Sequence, residues 1–450
     1  MLELLKSLKI HQYDCEHIDI RIEATSPCSI SFDQREFDNF NAEKNIGAFI
    51  RVFANKRWYH SSTTELDDLE KELEKLLKSA KLNTKKNTDK KVDLNEKIIS
   101  NIKDDYAFNL TKEEKIEHIN KIREIIEPDS QVLNPYLMWE DKVLKKYFIN
   151  SKGTVYHYDF AFSDVFYYFT LKDGENLFDT SKTFTFQKKS ELPEMYDVFA
   201  ADFKEAKLFT NAPTVEPGKY TVILSPAATG VFAHESFGHK SEADFMIGDE
   251  TMKKEWEIGK MVANEKVSIV DCGKDPTNTG YCPIDDEGNE SKTTYLIKNG
   301  RLTGRLHSVE TAKILEEEIT GNARAINFEF DPIVRMTNTY FEKGDLTFEQ
   351  LLEPIKEGYF IKTVSHGSGM STFTMAVNRA YKIKNGNLTH PVKINVTTGT
   401  VFETLHNIDG VSDTVEIKNS VTGGCGKNDQ FPLMVAYGGP YLRIKSYNIS

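Results

Sequence analysis

Apolar and polar residues alternate through "EHIDIRIEAT" (16–25), the two-residue period of a strand with one buried face. They alternate less cleanly through "GAFIRVFANKRWYH" (47–60), which reads as a second such strand. The period then becomes helical. Leu66, Leu69, Leu73, Leu76 and Leu77 form one apolar stripe, Thr64 is placed to cap it, and Asp67 and Asp68 fall in its first turn. "KSAKLNTKKNTDKK" (78–91) is aperiodic and lysine-rich, a solvated linker with no aromatic residue interleaved to stack on bases. Thr111 and Glu114 then make a capping-box pair that starts a helix through Ile116, Ile119, Ile122, Ile125 and Ile126 to Pro128.

A β-rich block follows. "KKYFINSKGTVYHYDFAFSDVFYYFTL" predicts long strands about a turn at Ser151–Gly153, its aromatic residues serving as core and cross-strand pairs. A helix is expected over 193–209. The prolines and glycine of "NAPTVEPGKY" then mark a boundary between residues 1–210, an α+β domain of antiparallel sheet with flanking helices, and 211–450, a β-rich barrel- or sandwich-like domain. Two segments of this second part, "YLIKNGRLTG" (295–304) and "YKIKNGNLTH" (381–390), read as hairpins, because Asn-Gly tolerates the positive φ of a type I′ turn. The fold class expected is α+β.

Composition narrows the function. A chain of 450 residues exceeds one ordinary core, and 39% hydrophobic with 28% charged residues is a globular balance. A net charge of −12 repels phosphate backbones, so no nucleic-acid partner is expected. Five scattered cysteines fit a reducing compartment better than a disulfide framework. The N-terminal residues lack the apolar run of a signal peptide and no stretch has transmembrane length, so a cytoplasmic protein without a membrane partner is expected.

The candidate chemistry lies in "GVFAHESFGHKSEADF" (230–245). "YTVILS" before it reads as a buried strand, with Ser225 as N-cap and Pro226 at the first helical position, so His234, Glu235 and His239 fall on a helix leaving a strand. Two zinc-binding histidines on a helix normally stand four apart; here they stand five apart, about 140° around an ideal helix. A π-bulge would shrink that offset to roughly 50°, or Gly238 would let the helix loosen. A competing set, Glu235, His239 and Glu242, shares one face of a regular helix but leaves no obvious base. Cys425, flanked by glycines in "SVTGGCGKNDQ", is the candidate third ligand, with Lys427 near enough to favour its thiolate. Cys15, Cys28, Cys272 and Cys282 read as structural. His366 is a further candidate, as an oxyanion donor.

These residues resemble the TldD/PmbA family of zinc metallopeptidases. "HESFGHKSEAD" fits the family's HExxxHxxExD pattern, and "DDEG" (285–288), "TGNAR" (320–324), "RMTNTY" (335–340), "NGNLTHPVK" (385–393) and "GGCGKNDQ" (423–430) follow in order. The similarity is strong over 215–445 and looser before it. It implies zinc (Zn2+) held by His234, His239 and Cys425, with Glu235 as catalytic base and five as the proper histidine spacing. It also implies hydrolysis of short or unfolded peptides in a chamber formed by a homodimer or by a heterodimer with a PmbA-like relative. Glu242 and Asp244 are expected to orient a ligand, while Asn322, Arg324, Arg335 and Asn338 would contact substrate or close a domain interface. Departures at 359–383 and in "QFPLMVAYGGP" bear on substrate specificity. The rival reading is a zinc-stabilised binding protein without catalysis, for which a retained Glu235 would have no use. A third, a DNA-associated gyrase modulator, conflicts with the charge.

Overall fold

The alternation of residues 16–25 becomes the strand His17–Thr25, with Ile18, Ile20 and Ile22 packed under the helices Leu2–Ser7 and Leu69–Ser79 in the computed structural model, which describes residues 1–450. Its polar face is not solvated: Asp19, Arg21 and Glu23 are at most 2% exposed. Arg21 Nη2 donates to Asn327 O at 2.9 Å and Phe330 O at 3.1 Å, so this face is covered by the C-terminal half. Residues 47–60 form two strands rather than one, Asn45–Ala54 and Arg57–Thr63, joined at Asn55 and Lys56 with φ of 53° and 61°. The turn lacks the Asn-Gly signature, which hid it in the sequence.

The full sheet has nine strands, and Val132–Asn150 with Thr154–Asp173 form its long central hairpin. Thr111 and Glu114 make the reciprocal capping box of Lys112–Ile126. Thr64 does not cap the leucine helix; a 3₁₀ turn over Leu66–Asp68 precedes it, and Leu69, Leu73, Leu76 and Leu77 are the buried stripe. The aromatic residues of the central hairpin divide between two tasks. Trp139, Tyr167 and Phe169 pack under Lys112–Ile126 and Leu192–Ala206, while Phe148, Tyr156, Tyr158 and Phe160 meet Tyr281, Ile284 and Val421 of the C-terminal half.

In that second half Gly218–Leu224 pairs in parallel with Glu357–Gly369, which continues through Thr372–Lys384, Val396–Thr400 and Leu442–Ile449 back to Gly218–Leu224. The five strands therefore close into a barrel. A separate six-stranded sheet contains Ile269–Cys272, Asn338–Phe341 and Ala436–Gly439. Both Asn-Gly hairpins form, with φ of 47° and 78° at Asn299 and Gly300 and 48° and 74° at Asn385 and Gly386. The class is α+β. No helix is long and apolar enough to cross a membrane.

Candidate metal centre

The site grows from the end of the barrel strand Gly218–Leu224. Ser225 Oγ accepts from Ala228 N at 3.2 Å and donates to Lys362 O at 2.6 Å, fixing the first turn of the helix Pro226–Phe232 against the neighbouring strand. At Ala233 the helix widens into a π-turn through Gly238, followed by a 3₁₀ turn over His239–Ser241. Five residues of π-helix advance by only about 50° beyond a full turn. The His234 and His239 rings therefore lie 5.0 Å apart at 79° to one another. Gly238 permits the turn to sit deep, because a Cβ there would lie 2.0 Å from Met336 Sδ.

Cys425 arrives from the opposite side on the short hairpin Cys425–Lys427 and Gln430–Leu433. Its Sγ is 3.5 Å from His239 Nε2, and ligand atoms of His234, His239 and Cys425 all lie within 4.8 Å of one another. His234 Nδ1 is buried without a hydrogen-bond partner. Two imidazoles and a thiol that converge in this way suit a borderline-soft divalent ion. The competing set does not assemble: Glu242 turns toward Lys427 instead.

Burial pushes the Cys425 thiol up, but hydrogen bonds and positive charge from His234 and His239 outweigh it and bring the pKa down to about 5. Burial likewise disfavours charge on His239, and Cys425 with Glu242 reverses this, raising it to about 10. The thiolate thus owes its stability to the histidines. Lys427, expected to supply it, is elsewhere: its Nζ donates to Glu242 Oε2 at 2.8 Å, Asp244 Oδ1 at 2.7 Å and Val334 O at 2.9 Å. Glu242 Oε2 lies 3.7 Å from His239 Nδ1, an electrostatic contact longer than a hydrogen bond. Asp244 reaches the site only through Lys427.

Glu235 is half-buried, and its side chain runs past Gly367 of the long barrel strand, where a Cβ would sit 3.0 Å from Glu235 Cγ. His366 beside it is exposed. Tyr437, which sequence reasoning passed over, packs its ring 5.8 Å from that of His234 through the space left by Gly230. Burial and the Glu235 charge both raise its phenol. The aromatic residue within "PLMVAYGGP" was its only signal.

Asn322, Arg324, Arg335 and Asn338 are all at most 6% exposed, and each of them bonds within the protein. Asn322 Nδ2 donates to Asp271 Oδ1 at 2.9 Å, Asn338 Nδ2 to Cys272 O at 2.6 Å and Arg324 Nη2 to Met434 O at 2.7 Å. Arg335 alone reaches the site's frame, donating from Nη2 to Cys425 O at 2.7 Å and from Nη1 to Gln430 O at 3.2 Å. Asp271 gathers this network, accepting also from Thr337 N, Thr337 Oγ1 and Thr339 Oγ1. A lone acid in the apolar run "VSIVDC" was the cue for it. The remaining four cysteines are unpaired, and burial pushes the Cys282 thiol up to about 11.

Residues 217–450 match the family profile described as PmbA/TldA metallopeptidase C-terminal domain, and residues 18–83 match PmbA/TldA metallopeptidase domain 1. A metalloprotease of Synechocystis sp. is 30% identical over 443 residues, covering 97% of this chain and 95% of the relative. A zinc metalloprotease TldD homolog of Saccharolobus solfataricus is 26% identical over 98% of both chains. The solved structure of TldE from Thermococcus kodakarensis shares the fold with a TM-score of 0.78 at 17% identity, covering 100% of this chain and 99% of that one. With its C-terminal half matched throughout and a 30%-identical relative aligned over 97% of it, the chain belongs to the PmbA/TldA metallopeptidase family.

Proposed function

We propose that the chain hydrolyses peptide bonds with zinc held by His234, His239 and Cys425 and with Glu235 as general base. The convergence of two ring nitrogens and a thiol within 4.8 Å, next to a half-buried carboxylate, carries this reading. When bound, zinc supplies Lewis acidity and lowers the pKa of a water molecule toward neutrality. Glu235 takes the proton of the attacking water and passes it to the leaving amine. Glu242 biases the orientation of the His239 ring, and Lys427 keeps Glu242 in place. A thiolate among the ligands offsets part of the cation's charge, so proton transfer depends more heavily on Glu235.

The proposed substrate is a short or unfolded peptide taken up as an extended strand. Glu357–Gly369 pairs with Gly218–Leu224 only as far as Ile361, so beyond it this edge has no strand partner, while the face of the strand at Gly367 meets Glu235. Such an edge can accept one more strand. We propose further that the site opens into a chamber between two protomers, as a homodimer or with a PmbA-like relative; a monomer in sedimentation that cleaves peptides alone would sink this.

Metal content and turnover on an unstructured peptide pool test the core of the reading. Glu235→Gln is expected to keep stoichiometric zinc and lose 10²- to 10⁴-fold in turnover, and Cys425→Ala to lose the metal. Undiminished turnover in Glu235→Gln would remove the base. A wild-type protein that holds zinc yet cleaves nothing, even with its PmbA-like relative added, would be a binding protein.

A further inference from the structure

Cys425 opens a short strand opposite Leu433, but Gly423 and Gly424 before it do little by themselves to fix how the chain enters that strand. The segment before those glycines is held from outside. Asp164 Oδ2, on the N-terminal strand Thr154–Asp173, accepts from Val421 N at 2.7 Å, Thr422 N at 3.0 Å, Ser420 Oγ at 3.0 Å and Thr422 Oγ1 at 3.2 Å. From the next strand Thr185 Oγ1 donates to Asn419 O at 2.8 Å. Between these polar grips Val421, fully buried, plugs into the aromatic cluster of Phe148, Tyr156, Tyr158 and Phe160.

We propose that Asp164 is a positioning residue for the metal centre: it anchors residues 420–422 so that Cys425 meets the two histidines. The N-terminal sheet is then part of the metal site without supplying a ligand. Asp164 is 0% exposed, and one of its oxygens takes four donors while the other, Oδ1, has no partner. Burying a carboxylate with one bare oxygen is costly, and a core built for stability alone would do better with an apolar side chain there. What the carboxylate provides is two directed backbone bonds to consecutive amides, which no apolar residue can replace. Arg335 holds Cys425 from the far side through its carbonyl oxygen. The thiol is therefore fixed between a clamp before the glycines and a clamp at the residue itself.

The proposal rests on the reading that Cys425 is a ligand, and the test separates the two. Wild type, Asp164→Ala, Asp164→Asn and Cys425→Ala are compared for zinc retained against a competing chelator, for the thiolate-to-metal charge-transfer band after loading with Co2+, and for hydrogen exchange at Val421 and Thr422. Asp164→Ala is expected to lose 10- to 100-fold in metal affinity, with a weakened band and faster exchange at both amides. Asp164→Asn, whose side-chain oxygen still accepts both N–H groups, is expected to recover most of each. If Asp164→Ala does not fold by circular dichroism, Ser420→Ala/Thr422→Val removes two of the four donors and leaves the carboxylate, with a several-fold loss expected. A folded Asp164→Ala, or failing that the double variant, with wild-type zinc affinity and an unchanged band overturns the proposal, provided Cys425→Ala has lost its metal. Zinc retained by Cys425→Ala, or never bound by wild type, defeats the ligand reading, and the anchoring proposal falls with it.

Discussion

His234 and Glu235 are neighbours in sequence with different proposed tasks, and both depend on the turn that a single glycine downstream closes. Gly238 closes the π-turn against Met336, and Gly238→Ala must move either that buried sulfur or the turn. Overpacking of this kind costs about 1–3 kcal/mol; the variant is expected to show that loss in chemical denaturation together with weaker zinc binding. A second residue-scale prediction concerns acid. Burial raises the Asp159 pKa, but the hydrogen bonds from His157, the Ile102 and Asn101 amides and Ser100 together outweigh it, bringing the carboxyl down to about 2. A pKa lower in the folded than in the unfolded chain gives stability that is full above about pH 4–5 and is lost as pH falls toward 2. Asp159→Asn is thus expected to be less stable than wild type near neutrality, by about 1–2 kcal/mol, and the gap should close as unfolding is measured at progressively lower pH.

At the scale of elements, much of the site was legible because its chemistry is written in spacing. A spacing of five positions from one histidine to the next forced a choice between a distorted helix and no site, and the π-turn over Ala233–Gly238 is the distortion. Cys425 was legible through its glycines. Lys427 was not, because a lysine two residues from a cysteine says nothing about which strand face it occupies; it points to Glu242 and Asp244. Equally hidden was the second face of His17–Thr25, where alternation promised water and the fold supplied Asn327 and Phe330. Periodicity reports that two faces differ, not that the polar one is wet. The long barrel hairpin adds a prediction of its own. Gly367→Ala would place a methyl 2.8 Å from Val231 Cγ1 and 3.0 Å from Glu235 Cγ, displacing the proposed base without touching a proposed ligand. Zinc content is expected to stay at wild type while kcat falls by about 10²-fold; equal losses of zinc and turnover would show that the helix, not the glutamate, had moved.

For the whole molecule, the proposed ligands come from places far apart in the chain, since Cys425 and His239 are separated by 186 positions. The strand Gly218–Leu224 that launches the histidine helix is framed by Glu357–Gly369 and Leu442–Ile449. A chain stopped after residue 440 would contain every proposed ligand yet lack one wall of that barrel, and it is expected to bind no zinc in a metal-content assay. During synthesis the same arrangement acts as a delay. At ordinary elongation rates the ribosome needs roughly 10 to 40 s to travel from the histidines to the cysteine, and longer to reach the strand that closes the barrel. Through that interval the growing chain carries half of a hydrolytic site and none of its reactivity, so the nascent protein and its neighbours on the same message are out of reach of a cutting centre that does not yet exist.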